Sequence, residues 1–514
     1  MRKEFYSTIL LIVITLLLGV SFFSYKKVQQ NRILGVKSIS SQQLEKKIKG
    51  KTETVLNPSS LFFNDEIVAY DAIDDRVFVS QNLEKENWYG NLSSNDGKLF
   101  ILNDEKACNK KELISEGREL DLICVRDDSY SKTKLVISGM PIMTLSAWHD
   151  VGKEAWGGAM QLFDPSQSGN EYQTGVCNFS VRGNIARLYD KKSYKLTLSD
   201  EKMSLCGLRE DDDWTLNGLY DDIGLIRNKL SYQLWNELSA TNNVDGDNTV
   251  ETAFVELIVD NEYRGVYLLC DRIDAKKIGL NEGDFLYKQK DWDNKRENLS
   301  EAFIVSYPNE ADESDKEIMT NFMDMLYYPE DYKLDFTQLT EDIYIDNAVD
   351  YYLYCMYLAA GDNLFENSYI VARKGLSDTY KFFEIPWDMN ATYGNVRVLY
   401  SADRIEKIDG FISTVGKLLM KADEREFEKL SQRRWNELRE TVLSNENVKE
   451  LANEYIDYTE KTGAYNRNLA KWPTYHVNNS DTYRDMSELW NKQDLFDYIE
   501  RRGTFLDNYF QEGQ

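Results

Sequence analysis

Between Gly361 and Asn390 the chain reads GDNLFENSYIVARKGLSDTYKFFEIPWDMN, and this stretch admits few folds. SYIVAR (368–373) and TYKFFEIPW (379–387) are β-branched and aromatic runs, and KGLSD between them has the composition of a turn, so the pair is expected to close as a hairpin. Closing it on that turn makes the numbers of facing residues sum to about 753, which sets position 367 near position 386. The loop entering the hairpin carries Asp362 and Asn367, the loop leaving it carries Asp388, and both then lie at one end. Opposed residues are about 5 Å apart at Cβ, so two acids and an amide can meet there.

Just upstream, Ile345, Ala348, Val349, Tyr352 and Met356 keep a helical spacing. This predicts a helix that stops at Ala359-Ala360 with Gly361 as its left-handed cap. An Asp after a helix, an Asn five residues on, and a second Asp behind a short hairpin is also the order of a protein-kinase catalytic loop. There the first Asp accepts a hydroxyl proton and the other two side chains hold Mg²⁺. D-x-x-x-x-N alone is weak in an acidic chain and reads equally well as turn capping. The hairpin is what gives the three residues a common place.

Histidine narrows the chemistry further. The chain has only His149 and His476 in 514 residues, which excludes an HExxH zinc site and leaves no basis for a Ser-His-Asp triad. Hard oxygen ligands suit Mg²⁺ or Mn²⁺. The net charge of −26 repels phosphate backbones, so a nucleic-acid partner is not expected, whereas a basic protein or a divalent cation is compatible. GFISTVGKLL (410–419) has the wrong glycine spacing for a Walker A loop and no Ser or Thr after its lysine. The acidic clusters REDDDW (209–214) and DWDN (291–294) read as solvated loops, with Ca²⁺ sites as the alternative.

Residues 5 to 25, FYSTILLIVITLLLGVSFFSY, hold no charge and are long enough to cross a hydrocarbon core of about 30 Å as a helix. No A-x-A site follows, so a retained anchor is preferred to a cleaved signal peptide. Arg2 and Lys3 precede the span, and Lys26, Lys27, Arg32 and Lys37 follow it. That charge count alone favours a cytoplasmic domain, but a signal-anchor role favours the outside, and an extracytoplasmic domain is the expectation. The six cysteines form no CxxC pair; Cys108 and Cys124 flank one β unit and can pair in an oxidising compartment.

The expected domains are an anchor (1–27), a stalk rich in Lys, Gln and Ser (28–54), a small all-β domain (55–138) and a larger domain (139–514). The last alternates strands early, such as VCNFSVRGN (176–184), SYKLTL (193–198), TAFVELIVD (252–260) and RGVYLLCD (264–271), with helices late. Asp260-Asn261 is expected as a hairpin turn, and Ile226, Leu230, Leu234 and Leu238 mark a helix near 222–239. The fold class is α+β.

PIMTLS, VRGN with KKSYKLTL, WTLNGLYDDIGLIRNKLSYQL, FVELIVDNEYRGVYLLCDRID with FLYK, and GDNLFENSYIVARK with FFEIPWDMN occur in that order. On these segments the chain from about 140 to 510 resembles the spore-coat-protein-H (CotH) kinase family of secreted or surface-associated atypical protein kinases. The resemblance implies a mixed antiparallel sheet lobe with a helical lobe, and transfer of the γ-phosphate of ATP to Ser or Thr of surface or coat proteins. It implies Asp362 as the catalytic Asp and Asn367 and Asp388 as metal ligands. Lys192 or Lys195 is the implied phosphate contact, with support from Arg182, Asp222 and Arg227. Two positions depart from the family: WDMN replaces the usual WDxD, which leaves Asn390 as an amide ligand, and Asp271 stands where Glu is common. A kinase-like scaffold for coat assembly is the rival reading, and a polysaccharide-binding wall protein a third. Substrates are expected to be basic, Ser-rich proteins.

Overall fold

The computed structural model describes residues 32–512 apart from 105–108, 149–153, 200, 291–294, 377–378, 397, 409 and 477–482. The expected membrane anchor (5–25), the DWDN cluster and Cys108 lie outside the described residues. No helix among the described residues is long and apolar enough to cross a membrane.

The first sheet runs from Arg32 to Ser138. Its strands lie in the order Arg32–Ile33, Val36–Ile39, Lys98–Leu102, Leu120–Val125, Ser129–Ser138, Arg76–Ser80 and Ala69–Asp71, with Thr52–Glu53 added beside Ser129–Ser138. Residues 32 to 48, read from composition as part of a stalk, are therefore strands and a helix (Ser41–Ile48). Ile33, Val36, Ile39 and Leu44 bury their side chains, and that short apolar alternation outweighs the surrounding Lys, Gln and Ser. Cys124 is a buried free thiol.

The second unit is a closed barrel of seven strands. It runs Ile142–Ala147, Trp156–Phe163, Tyr172–Arg182, Ser193–Leu198, Asp213–Asn217, Glu262–Asp271 and Thr252–Val259. Parallel pairing of Ile142–Ala147 with Thr252–Val259 closes it. A mixed antiparallel sheet lobe was expected; strand alternation gives the inward face but not the closure, which depends on one contact between strands a hundred residues apart. Tyr194, Leu196, Leu198, Trp214, Leu216, Tyr267 and Leu269 fill the interior. Asp260 and Asn261, at φ +50° and +57°, form the two-residue turn expected from sequence.

The third sheet is four-stranded, in the order Phe303–Tyr307, Phe285–Lys290, Glu366–Lys374, Tyr380–Pro386. Helices Arg227–Ser239, Glu313–Tyr327, Ile345–Leu358 and those after Thr414 pack against it and one another. The Ile345–Leu358 helix is buried from Asn347 to Leu358 on every side, as a helix at the centre of a core must be. Its left-handed cap is Ala359 at φ +50° rather than Gly361. A Cβ there costs on the order of 1–2 kcal/mol, which the surrounding core holds in place. The Arg467 guanidinium on Ala464–Lys471 reaches the buried Glu256 carboxylate at 2.7 Å and the Ser138 hydroxyl at 2.9 Å. One helix thus ties the first sheet to the barrel.

Candidate functional site

The hairpin forms with Ser368 opposite Pro386 and Lys374 opposite Tyr380, one residue out of the expected register. Asn367 accordingly meets Trp387, whose N–H donates to the Asn367 carbonyl at 2.9 Å. Asn363, 1% exposed, donates from Nδ2 to the carbonyls of both Asn367 (2.7 Å) and Trp387 (2.8 Å). That amide clamps the entering loop to the leaving loop. The Tyr351 hydroxyl, from the buried helix, holds the Asn363 carbonyl at 2.6 Å, so the short turn Gly361–Leu364 carrying Asp362 is fixed to the core.

Asn367 and Asp388 both sit in the left-handed region, at φ +53° and +57°. Such backbone costs on the order of 1–3 kcal/mol per residue and gathers at functional sites. Around Asp388 the strain is held by two bonds: its N–H donates to the Tyr232 hydroxyl, and the Met389 N–H donates to Asn228 Oδ1, each at 2.8 Å.

Asp362, Asn367, Asp388 and Asn390 all line one cleft of about 1060 Å³, together with Arg182. The Arg182 guanidinium stands 5.8 Å over the Trp387 ring, a cation–π contact that keeps its charge at the cleft wall. Among the described residues no three His, Cys, Asp or Glu side chains are grouped to hold a metal by themselves. A cation here would need the amides of Asn367 and Asn390 and the oxygens of its own ligand as well as acids. A second cleft of the same volume lies between the first sheet, the barrel and the Asn445–Lys461 helix. Its Lys229 and Lys461 are taken up by the Thr252 carbonyl (2.6 Å) and by Asp457 (2.7 Å). Size does not distinguish the two clefts; their side chains do.

Four expected site residues, Lys192, Lys195, Asp222 and Arg227, do not line this cleft, and neither does Asp271. Lys192 precedes its strand and donates from Nζ to the carbonyls of Arg187 (2.8 Å) and Tyr189, where burial draws its pKa down; it fastens a turn. Lys195 lies on the outer face of the barrel, 3.7 Å from Asp213. Asp222 accepts from the Arg227 N–H at 2.6 Å and its guanidinium at 2.8 Å, which caps the Arg227–Ser239 helix. Burial raises the Asp222 pKa although Arg227 opposes it. Asp271 pairs with Lys277 at 2.5 Å in the interior, and burial pushes it up to about 6.

The cleft holds three residues that sequence reasoning passed over. Asp221, beside Asp222, lines it and accepts at Oδ2 from Asn390 Nδ2 (2.6 Å) and the Tyr189 hydroxyl (2.9 Å). Its carbonyl accepts from Asn395 at 3.0 Å. Burial, then repulsion from Asp388, pushes Asp221 up to about 6. Lys288 and Gln289 come from the Phe285–Lys290 strand. Gln289 accepts from the Ser368 hydroxyl, while among the described residues its Nε2 has no partner, and neither has Trp387 Nε1. The FLYK run that contains Lys288 was visible, but nothing in it says which strand it pairs with.

A family model described as CotH kinase protein matches residues 179–506, more than half of the chain and all of the cleft residues named above. The chain is also 28% identical over 270 residues to the inner spore coat protein H of Bacillus subtilis (strain 168), covering 50% of this chain and 69% of that protein.

Proposed function

This chain belongs to the CotH kinase protein family, and on that footing we propose that it is an atypical protein kinase that moves the γ-phosphate of ATP to Ser or Thr hydroxyls. The observation that carries the reading is one cleft lined by Asp362, Asn367, Asp388, Asn390 and Arg182, with two of its ligating positions held in strained backbone. Asp362 orients the acceptor hydroxyl and takes its proton as the oxygen attacks the γ-phosphorus and the bond to the β–γ bridging oxygen breaks. Asn367, Asp388 and Asn390 are the candidate holders of Mg²⁺ or Mn²⁺, an all-oxygen set that fits a hard cation. The bound cation would supply neutralising charge at the phosphates. Arg182 and Lys288 meet the phosphates from the cleft wall, and the unpartnered Gln289 Nε2 and Trp387 Nε1 are donors for nucleotide oxygens.

The name of the Bacillus relative places that protein in the spore coat. By extension we take the acceptors to be surface or coat proteins, basic and Ser-rich in keeping with an acidic chain, and residues 5–25 to be the anchor that keeps the chain at a surface. A scaffold without catalysis is the second reading, favoured by Asn390, whose amide is spent on Asp221. Labelled ATP with Mg²⁺ or Mn²⁺ and basic Ser-rich acceptors separates them. A kinase incorporates phosphate and loses roughly 10²–10⁴-fold of that rate in Asp362→Ala; equal incorporation in both, or none in either, leaves the scaffold.

A further inference from the structure

We propose that Asp221 is a ligand of the divalent cation in this cleft, paired with Asp388 and aimed by Asn390. The inference rests on the phosphotransfer reading and adds a residue to it. Asp221 lines the same cleft as Asp388, and its Oδ2 accepts from Asn390, two residues after Asp388. Neither acid has a cationic partner among the described residues. Two acids placed together without a counter-charge repel, and an interior that holds them so is arranged for a charge it does not contain.

The hydrogen bonds support that arrangement. Asn390 and Tyr189 both donate to Oδ2 of Asp221, and Asn395 fixes its carbonyl, so two side chains hold the carboxylate and a third holds its backbone. Oδ1 is left outside this pair of bonds. Asn395 also donates to the Asn390 carbonyl at 2.8 Å, so the loop after Asp388 and the segment of Asp221 are laced together. Such outer contacts orient metal ligands. Independently, Gln289 is 1% exposed, lines the same cleft and keeps an unpartnered Nε2. A buried donor without an acceptor marks the place of a ligand oxygen.

The test is Mn²⁺ binding by the whole chain in the presence of a non-hydrolysable ATP analogue, followed by the loss of the free-ion electron-spin signal, together with melting in the absence of metal. Asp221→Asn keeps the volume and can still accept from Asn390 and Tyr189. It is expected to weaken Mn²⁺ binding roughly tenfold or more, as Asp388→Asn does, while the metal-free melting temperature stays level or rises because one repelling charge is gone. Undiminished Mn²⁺ binding in Asp221→Asn, with binding lost in Asp388→Asn, overturns the assignment and leaves the kinase reading standing. Weaker binding together with a lower metal-free melting temperature marks Asp221 as structural and also overturns it. No nucleotide-dependent Mn²⁺ binding by the unmodified chain removes both.

Discussion

Two regions of this molecule are rich in acids, and they treat them in opposite ways. Around residues 209 to 213 and 271 to 277, Asp211, Asp212, Asp213 and Asp271 each meet a cation of the chain. Arg209 pairs with Asp211, Lys276 with Asp212 at 2.6 Å, Arg272 with Asp213 at 2.6 Å and Lys277 with Asp271 at 2.5 Å. In the cleft, Asp221 is met by an amide and a phenol, and the charges of Asp388 and Asp222 that act on it are negative. From sequence, REDDDW read as a solvated acidic loop, whereas Asp221 was passed over. What separates them is whether the counter-charge is built in, and only where it is missing does an outside cation have a place.

The largest way to break that contrast is to remove a built-in cation. Lys277 and Asp271 are fully buried side chains, so Lys277→Met leaves the Asp271 carboxylate only Arg209, at 3.5 Å, and is expected to cost about 3–5 kcal/mol of stability. Nucleotide-dependent Mn²⁺ binding should be unchanged, since neither residue lines the cleft. Urea unfolding measures the loss. A cost below about 1 kcal/mol would mean that the pair's burial is relieved by relaxation, and the two regions would then differ less than their geometry suggests.

The same contrast explains what could be read from sequence. Asp362, Asn367 and Asp388 were legible because hairpin pairing is local: a period of two and a turn of fixed composition put both loops at one end. The register was one residue out because Asn367 faces Trp387, a pairing that the clamp by Asn363 secures. The basic side of the cleft was not legible. Lys192 and Lys195 lie in a promising run, but the strand begins after Lys192, and Lys195 faces the outer wall of the barrel. Lys288 comes to the cleft only because Phe285–Lys290 pairs with Glu366–Lys374, a contact across some eighty residues that no local pattern encodes. Asp221 and Asp222 are adjacent acids, and which of them caps the Arg227–Ser239 helix decides which is left for the cleft. Closure of the barrel was hidden for the same reason as Lys288.

Glu384 sharpens the comparison from a third position. It is a buried acid on the strand leading to Asp388, with Oε2 unpartnered, and burial pushes it from 4.5 to about 8. Without a cationic partner among the described residues and lying outside the cleft, it stays protonated below about pH 8. Between those two values the folded chain binds more protons than the unfolded chain, so stability falls as pH rises from about 4.5 to about 8. Glu384→Gln keeps the neutral shape and removes that dependence. Melting should match the unmodified chain near pH 5 and exceed it near pH 8, by on the order of 3–5 kcal/mol if the whole shift is realised. Parallel pH profiles would show instead that Glu384 ionises in place, and an unpaired buried acid would no longer single out the cleft.

The smallest effect concerns which lysine meets phosphate, and it tests the basic half of the cleft as Asp221 tests the acidic half. Lys288 lines the cleft and lies 5.6 Å over the Tyr369 ring, a contact that holds an ammonium loosely and leaves its hydrogens for an anion. Lys195 is already 3.7 Å from Asp213 on the barrel's outer face. A charge-assisted hydrogen bond to phosphate contributes about 1.5–3 kcal/mol, so Lys288→Ala should weaken binding of an ATP analogue roughly tenfold to a hundredfold. Lys195→Ala should change it less than about twofold, because an exposed ion pair contributes at most ~1 kcal/mol, and to stability rather than binding. Calorimetric titration of both variants decides between them. Were Lys195→Ala the more damaging, the nucleotide would have to lie against the barrel's outer face, and the end of the hairpin, with its strained Asn367 and Asp388, would lose its claim to the phosphates.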